Sequence, residues 1–147
     1  CPSLNPMTEH TEKWVKNLIA GLDELVDEET YRLILERCGR ECIAKNVIDK
    51  ARDVYSESEG LEEFLKKYSQ ANRHLHLEDD GVYLVYPRCY CPTVKNMRPG
   101  QLSATYCDCS RGWAKALFEG ATGGKVEVVR EKSVVNGDRE CRFRIIF

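Results

Sequence analysis

The sequence predicts an α+β fold in which N-terminal helices pack on a four-stranded antiparallel sheet, laid out as hairpin, helix, hairpin. Three observations predict it. Apolar residues recur at helical spacing through residues 1–70, and alternation replaces that period from residue 71 onward. Two turn signals, Glu78-Asp79-Asp80-Gly81 and Asn136-Gly137-Asp138, each lie between runs of strand formers. No linker, repeat or low-complexity tract interrupts the chain. Its 147 residues therefore read as one domain, with a helical part over 1–70 and a sheet part over 71–147.

Thr8 or Thr11 is placed to cap a first helix with Trp14, Leu18, Leu22 and Leu25 on its buried stripe. Asp27-Glu28-Glu29-Thr30 restarts the pattern, with acids suited to a helix N-terminus. Tyr31, Ile34, Leu35, Cys38 and Cys42 follow, then Ile43, Val47, Ala51 and Val54. Gly39 falls inside this run, as a helix end, a kink or a point of close approach. Leu61, Phe64, Leu65 and Tyr68 mark a short helix after Ser58. His74 to Leu77 and Val82 to Tyr86 form the first hairpin. Pro87 and Pro92 bracket the next loop, and Pro99-Gly100 marks a turn. Ser110 caps a helix carrying Trp113, Ala116, Leu117 and Phe118, which Gly120 and Gly123-Gly124 end. Val126 to Val135 and Cys141 to Phe147 form the second hairpin.

A net charge of −2, with acids and bases interleaved as in Glu62, Glu63, Lys66 and Lys67, gives no basic face for nucleic acid. No apolar run is long enough to span a membrane. Cys1-Pro2-Ser3-Leu4-Asn5-Pro6 has neither the charged start nor the apolar core of a signal peptide. A chain of this size builds its own core without staples, so its eight cysteines point to reduced thiols and a cytoplasmic setting.

The cysteines carry the chemical signal. Cys89-x-Cys91 and Cys107-x-Cys109 put thiols two residues apart, and on extended chain such residues face the same way. Sulfur donors in pairs suit a soft or borderline cation, zinc above all, or an iron–sulfur cluster. The competing reading is burial, since free cysteine packs as a small hydrophobe. Cys38 and Cys42 share a helix face and either complete such a site, form a second one, or pack in the core. Cys1 reads as a disordered end. His74 and His76 alternate with Leu75 and Leu77, which turns both imidazoles to solvent. Tyr83, Tyr106 and Trp113, with Tyr86 and Tyr90, are candidates to line a small-molecule pocket, against the alternative of plain core packing. There is no phosphate loop, nucleophile elbow or dinucleotide fingerprint.

The C-terminal third resembles the 4-vinyl reductase-type small-molecule-binding domain. The stretches that carry the likeness are Cys109-Ser110-Arg111-Gly112-Trp113, Phe118-Glu119, Gly124-Lys125-Val126-Glu127-Val128 and Gly137-Asp138-Arg139-Glu140-Cys141-Arg142-Phe143. The resemblance implies helices followed by a four-stranded antiparallel sheet, a small-molecule ligand and, in several members, a homodimer. A related group comprises aminothiazoline-carboxylate hydrolases. In the sensor domains of this type a zinc is bound by residues that fall here on Cys107 or Cys109, on Glu131 and on Cys141. The remaining cysteine position of that pattern is Val134, and Cys89 or Cys91 is available to supply the missing sulfur.

Three functions follow as expectations. The first is a small-molecule-binding or sensory domain with a structural metal on Cys89, Cys91, Cys107, Cys109, Cys141 and Glu131, Cys38 and Cys42 being possible completing ligands. A metal-dependent hydrolase needs an open coordination position and a base such as Glu131 or Glu119. An iron–sulfur or thiol redox protein would draw on the same cysteines.

Overall fold

The structure is a computed structural model, and it describes residues 9–92, 94, 98 and 100–147. Cys1, Thr8 and Pro99, to which the sequence assigns an end, a cap and a turn, lie outside the described residues. Four helices come first: α1 (Glu9–Leu25), α2 (Glu28–Cys42), α3 (Lys45–Ser56) and α4 (Leu61–Ala71). Strands β1 (Leu75–Glu78) and β2 (Gly81–Tyr86), helix α5 (Asp108–Thr122), and strands β3 (Glu127–Lys132) and β4 (Cys141–Ile146) follow. The sheet is antiparallel throughout, in the order β1-β2-β4-β3, so the α+β class and its hairpin-helix-hairpin order hold.

Local chemistry sets most boundaries. The Asp27 carboxylate caps α2 by accepting the Thr30 N–H at 2.9 Å. Residues Ile43 and Ala44 are extended and separate α2 from α3, so the break lies there and not at Gly39. Thr11 lies within the first turn of α1 and does not precede it. Helix α5 begins at Asp108, directly after a 3-10 turn over Ala104–Cys107 whose N-cap is Ser103, so Ser110 is a first-turn residue and not the cap. Gly123, in the left-handed conformation (φ +75°), ends α5 as expected.

Two expectations fail on packing. The buried stripe of α1 is Val15, Ile19 and Leu22, continued by Val26 just beyond the helix, whereas Trp14 is 59% exposed and Leu25 84%. Both stripes have helical spacing. The one that wins faces Tyr31, Leu35, Val94 and Leu102. The second hairpin also turns more widely than a two-residue Asn-Gly loop. Strand β3 stops at Lys132, and Val134–Asn136 form a 3-10 turn. There the Ser133 Oγ accepts the Val135 N–H, and the Asp138 carboxylate accepts the Ser133 N–H. Polar side chains thus take up the backbone donors that a ladder would otherwise use.

Two apolar clusters form. The larger lies between α3, α4, α5 and the inner sheet face of Leu75, Leu84, Val128, Cys141, Phe143 and Ile145. A smaller one holds Ile19, Tyr31 and Leu35 from α1 and α2 against Val94, Leu102, Cys107 and Val135. Helix α2 crosses α5 in the most extensive helix contact of the molecule. The crossing is made by two glycines. A Cβ on Gly39 would lie 1.8 Å from the Cys109 carbonyl oxygen, and one on Gly112 would lie 1.9 Å from that of Glu36. Beside the glycines the buried Glu36 carboxylate pairs with Lys115 at 3.0 Å and Arg111 at 3.3 Å, and Arg40 pairs with Glu119 at 2.7 Å.

Gly112→Ala should therefore push the two helices apart and destabilise the fold by about 2–3 kcal/mol, despite alanine's better helix propensity. Gly21→Ala in α1, where an added Cβ has no neighbour within 4 Å, should instead stabilise by about 0.5–1 kcal/mol. Urea denaturation midpoints of the two variants check both signs.

Candidate functional site

Between the two apolar clusters lies a cavity of about 660 Å³. Its walls are α1 and α2, the start of α5, the inner end of β2 and β4, and the chain after β2. All seven described cysteines line it, and all seven are free thiols: Cys38, Cys42, Cys89, Cys91, Cys107, Cys109 and Cys141.

Each thiol is placed by a different feature of the fold. The glycine crossing sets α2 against the first turn of α5, which brings Cys38 and Cys42 near Cys109. Strand β4 aims Cys141 inward beside Phe143, opposite Tyr86 of β2. The 3-10 turn before α5 carries the buried Cys107. Pro87 ends β2, and the segment beyond it carries Cys89 and Cys91 across the mouth.

Four sulfurs have a hydrogen-bonding partner among the described residues. The backbone N–H of Cys91 points at the Cys89 thiol and works against the rise that burial causes there. Cys91 Sγ lies 3.3 Å from the Tyr106 hydroxyl, and Cys107 Sγ lies 3.1 Å from that of Ser133. The Val134 N–H donates to Cys141 Sγ at 3.4 Å. Arg130 adds a positive field that favours the thiolates of Cys107 and Cys141, and is itself held by the Asp108 carboxylate at 3.1 Å. On the facing wall, burial and the neighbouring Cys42, Cys91 and Cys38 push Cys109 up to about 12, and no donor among the described residues offsets the rise.

Burial is the largest cause at Cys89, Cys107, Cys109 and Cys141. It pushes Cys89 up to about 11 and Cys107 to about 12, and it raises Cys141 as well. Cys89, Cys107, Cys109 and Cys141 are accordingly protonated and unreactive at neutral pH. Among the described residues no three His, Cys, Asp or Glu side chains stand close enough together to hold a metal ion as they are placed here. The sulfurs are spread along the wall.

Of the expected pocket residues, Tyr106 and Trp113 line the cavity and Tyr83 does not. Tyr83 faces the other side of the sheet, where its hydroxyl donates to Asp80 and the Arg142 guanidinium covers its ring at 3.8 Å. Glu131 is on that outer face too, where the strand's alternation from the buried Val128 puts it, and it accepts from Arg142 at 3.2 Å. It lies across the sheet from Cys141 and shares no site with it. Glu119, the other candidate base, accepts from Arg40 and from the Val126 N–H, away from the cavity.

His74 is the residue that alternation misplaced. It precedes β1 and is not bound by the strand's up-and-down pattern, and its ring lines the cavity. Its Nδ1 lies 3.1 Å from the Val85 carbonyl, so that nitrogen carries the hydrogen, and its ring packs on Tyr86 at 4.8 Å and Tyr90 at 5.5 Å. His76 is exposed, as alternation predicts. Arg88, over the Tyr90 ring at 5.1 Å, brings a charge to the mouth.

The model of a family of unknown function, DUF6144, matches residues 3–147. The chain belongs to that family. In this DUF6144 chain the match runs through every helix and strand described above and includes all the cavity cysteines. A search of the curated proteins gives no match.

The buried thiols make stability depend on alkali. Cys107 and Cys109 titrate near 9.0 when exposed and near 12 in the fold, so the folded chain retains protons that the unfolded chain has lost. Their contribution is complete below pH 9.0 and is lost as pH rises toward 12. Denaturation midpoints of the reduced protein should fall across that window, and Cys109→Ala should fall less steeply than the parent across it.

Proposed function

We propose that this chain is a small-molecule-binding domain whose ligand is compact, largely apolar and carries an aromatic ring. The observation behind this reading is the cavity itself, of about 660 Å³ between two apolar clusters, a size and lining that suit a drug-sized organic molecule. His74, Tyr86 and Tyr90 form one aromatic corner, and Trp113 lies in the wall that α5 supplies. Offset and edge contacts with such rings favour a planar ligand. Among the described residues, Arg88 at the mouth supplies the lining's one side chain with a permanent charge, which suits a ligand with an anionic or carbonyl end. Among the described residues no carboxylate lines the cavity, and its single imidazole is engaged with Val85, so the lining is better suited to holding a molecule than to hydrolysing one. The likeness of the C-terminal third to 4-vinyl reductase-type domains implies the same class of ligand.

Anilinonaphthalene sulfonate, an aromatic anion with an apolar body, is a suitable probe. It should bind the folded chain at one site per molecule and alter Trp113 fluorescence in a Trp14→Phe background. Ala44→Trp, which fills the cavity from the start of α3, should abolish binding while leaving the melting transition cooperative. Binding that is equally strong in Ala44→Trp would overturn this use of the cavity.

A further inference from the structure

The few polar side chains of the cavity lining differ in what their polar atoms already do. The acceptors of Asn72 and His74 are occupied. Asn72 Oδ1 accepts the His74 N–H at 3.0 Å, and His74 Nε2 accepts from Arg73 Nε at 3.4 Å. Three donors are open. The Trp113 indole N–H and the hydroxyls of Tyr86 and Ser110 have no hydrogen-bond partner among the described residues. Nor are they sealed in the packing. The buried and unpaired side-chain atoms among the described residues are the Tyr31 hydroxyl and Arg32 Nε, and neither residue lines the cavity. Ser110 and Trp113 stand one turn apart on α5, at the spacing that shares a helix face, and Tyr86 enters from β2. An indole N–H can only donate. Burial raises Tyr86, so its phenol keeps the proton that it would donate. A ligand that displaced water from these groups and gave nothing back would leave them unpaired in an apolar lining, at a cost to its affinity.

We propose that the ligand is an aromatic carboxylic acid with a second, uncharged oxygen acceptor such as a ketone or an ether, its carboxylate at Arg88 and its second oxygen on the donors of Trp113, Tyr86 and Ser110. The inference rests on the cavity being a ligand site and adds the hydrogen-bonding pattern that the ligand must carry. A purely hydrocarbon body strands all three donors. A ligand that presents an amine there meets the Trp113 indole donor to donor. Selectivity of this kind comes from groups built to hydrogen-bond, because the wrong ligand leaves them unsatisfied.

Four fluorescent probes on one naphthalene body separate the two ends: naphthoate, methoxynaphthoate and aminonaphthoate, each substituted at the far end from the carboxylate, and methoxynaphthalene without the acid. Titrated into the reduced full-length chain, methoxynaphthoate should bind about 10-fold more tightly than naphthoate or aminonaphthoate. Tyr86→Phe and Ser110→Ala each delete one hydroxyl and should narrow that advantage, and Trp113→Phe added to them should abolish it. Tyr86→Phe removes a single oxygen and keeps the test valid if Trp113→Phe fails to fold. Arg88→Gln should abolish the advantage of methoxynaphthoate over methoxynaphthalene and leave its advantage over naphthoate intact. Equal binding of methoxynaphthoate and naphthoate by the parent chain, a preference for aminonaphthoate, or an advantage unchanged by all three donor deletions would overturn the acceptor assignment while leaving the cavity as the site. Failure of all four probes to bind, or binding that persists in Ala44→Trp, would overturn the cavity reading and this inference with it.

Discussion

The close approach of α2 and α5 at Gly39 and Gly112 is the constraint on which the rest of the molecule depends. Two helices approach so closely only where neither presents a side chain, and here each glycine faces a backbone carbonyl of the other helix. That approach fixes where α5 begins relative to α2. It also buries Glu36 against Lys115 and Arg111, a pairing whose loss would leave an uncompensated charge in the interior and is therefore intolerant of change on either side. From the same crossing, the α5 N-terminus with Cys107 and Cys109 is directed at the inner end of β4, where Cys141 lies.

The cavity follows from this geometry. The larger cluster is closed by α3, α4 and the sheet, and the smaller by α1 and the chain around Val94 and Leu102. The space between them is walled by cysteines, small enough to leave volume open and apolar enough to exclude charge. Burial raises Cys89, Cys107, Cys109 and Cys141, while the N–H groups of Cys91 and Val134 work against that rise at Cys89 and Cys141.

Sequence reasoning recovered elements better than faces. Helical periods, turn signals and capping residues depend on neighbours a few positions apart, and the order of elements was legible from them. The stripe of α1 was not. Apolar residues surround most of that helix, and only the position of Tyr31 and Leu35 selects Val15 and Ile19 over Trp14 and Leu25. Glu131 and Tyr83 read as site residues because their strands do reach the cavity region. The sheet's own alternation puts both on the far face, beside Arg142. His74 failed in the opposite sense, since a residue just outside a strand is free of the strand's alternation.

By itself the sequence determined the class of fold and the order of its helices and hairpins, because both are written in local spacing and residue type. Only the tertiary structure decided that Cys38 and Cys42, far away in the chain, line the same cavity as Cys89, Cys91, Cys107, Cys109 and Cys141. It also decided which sulfurs meet a hydroxyl or an amide. Such contacts depend on how helices cross and which sheet face is covered. Those outcomes are set by packing between distant segments, which no local pattern encodes.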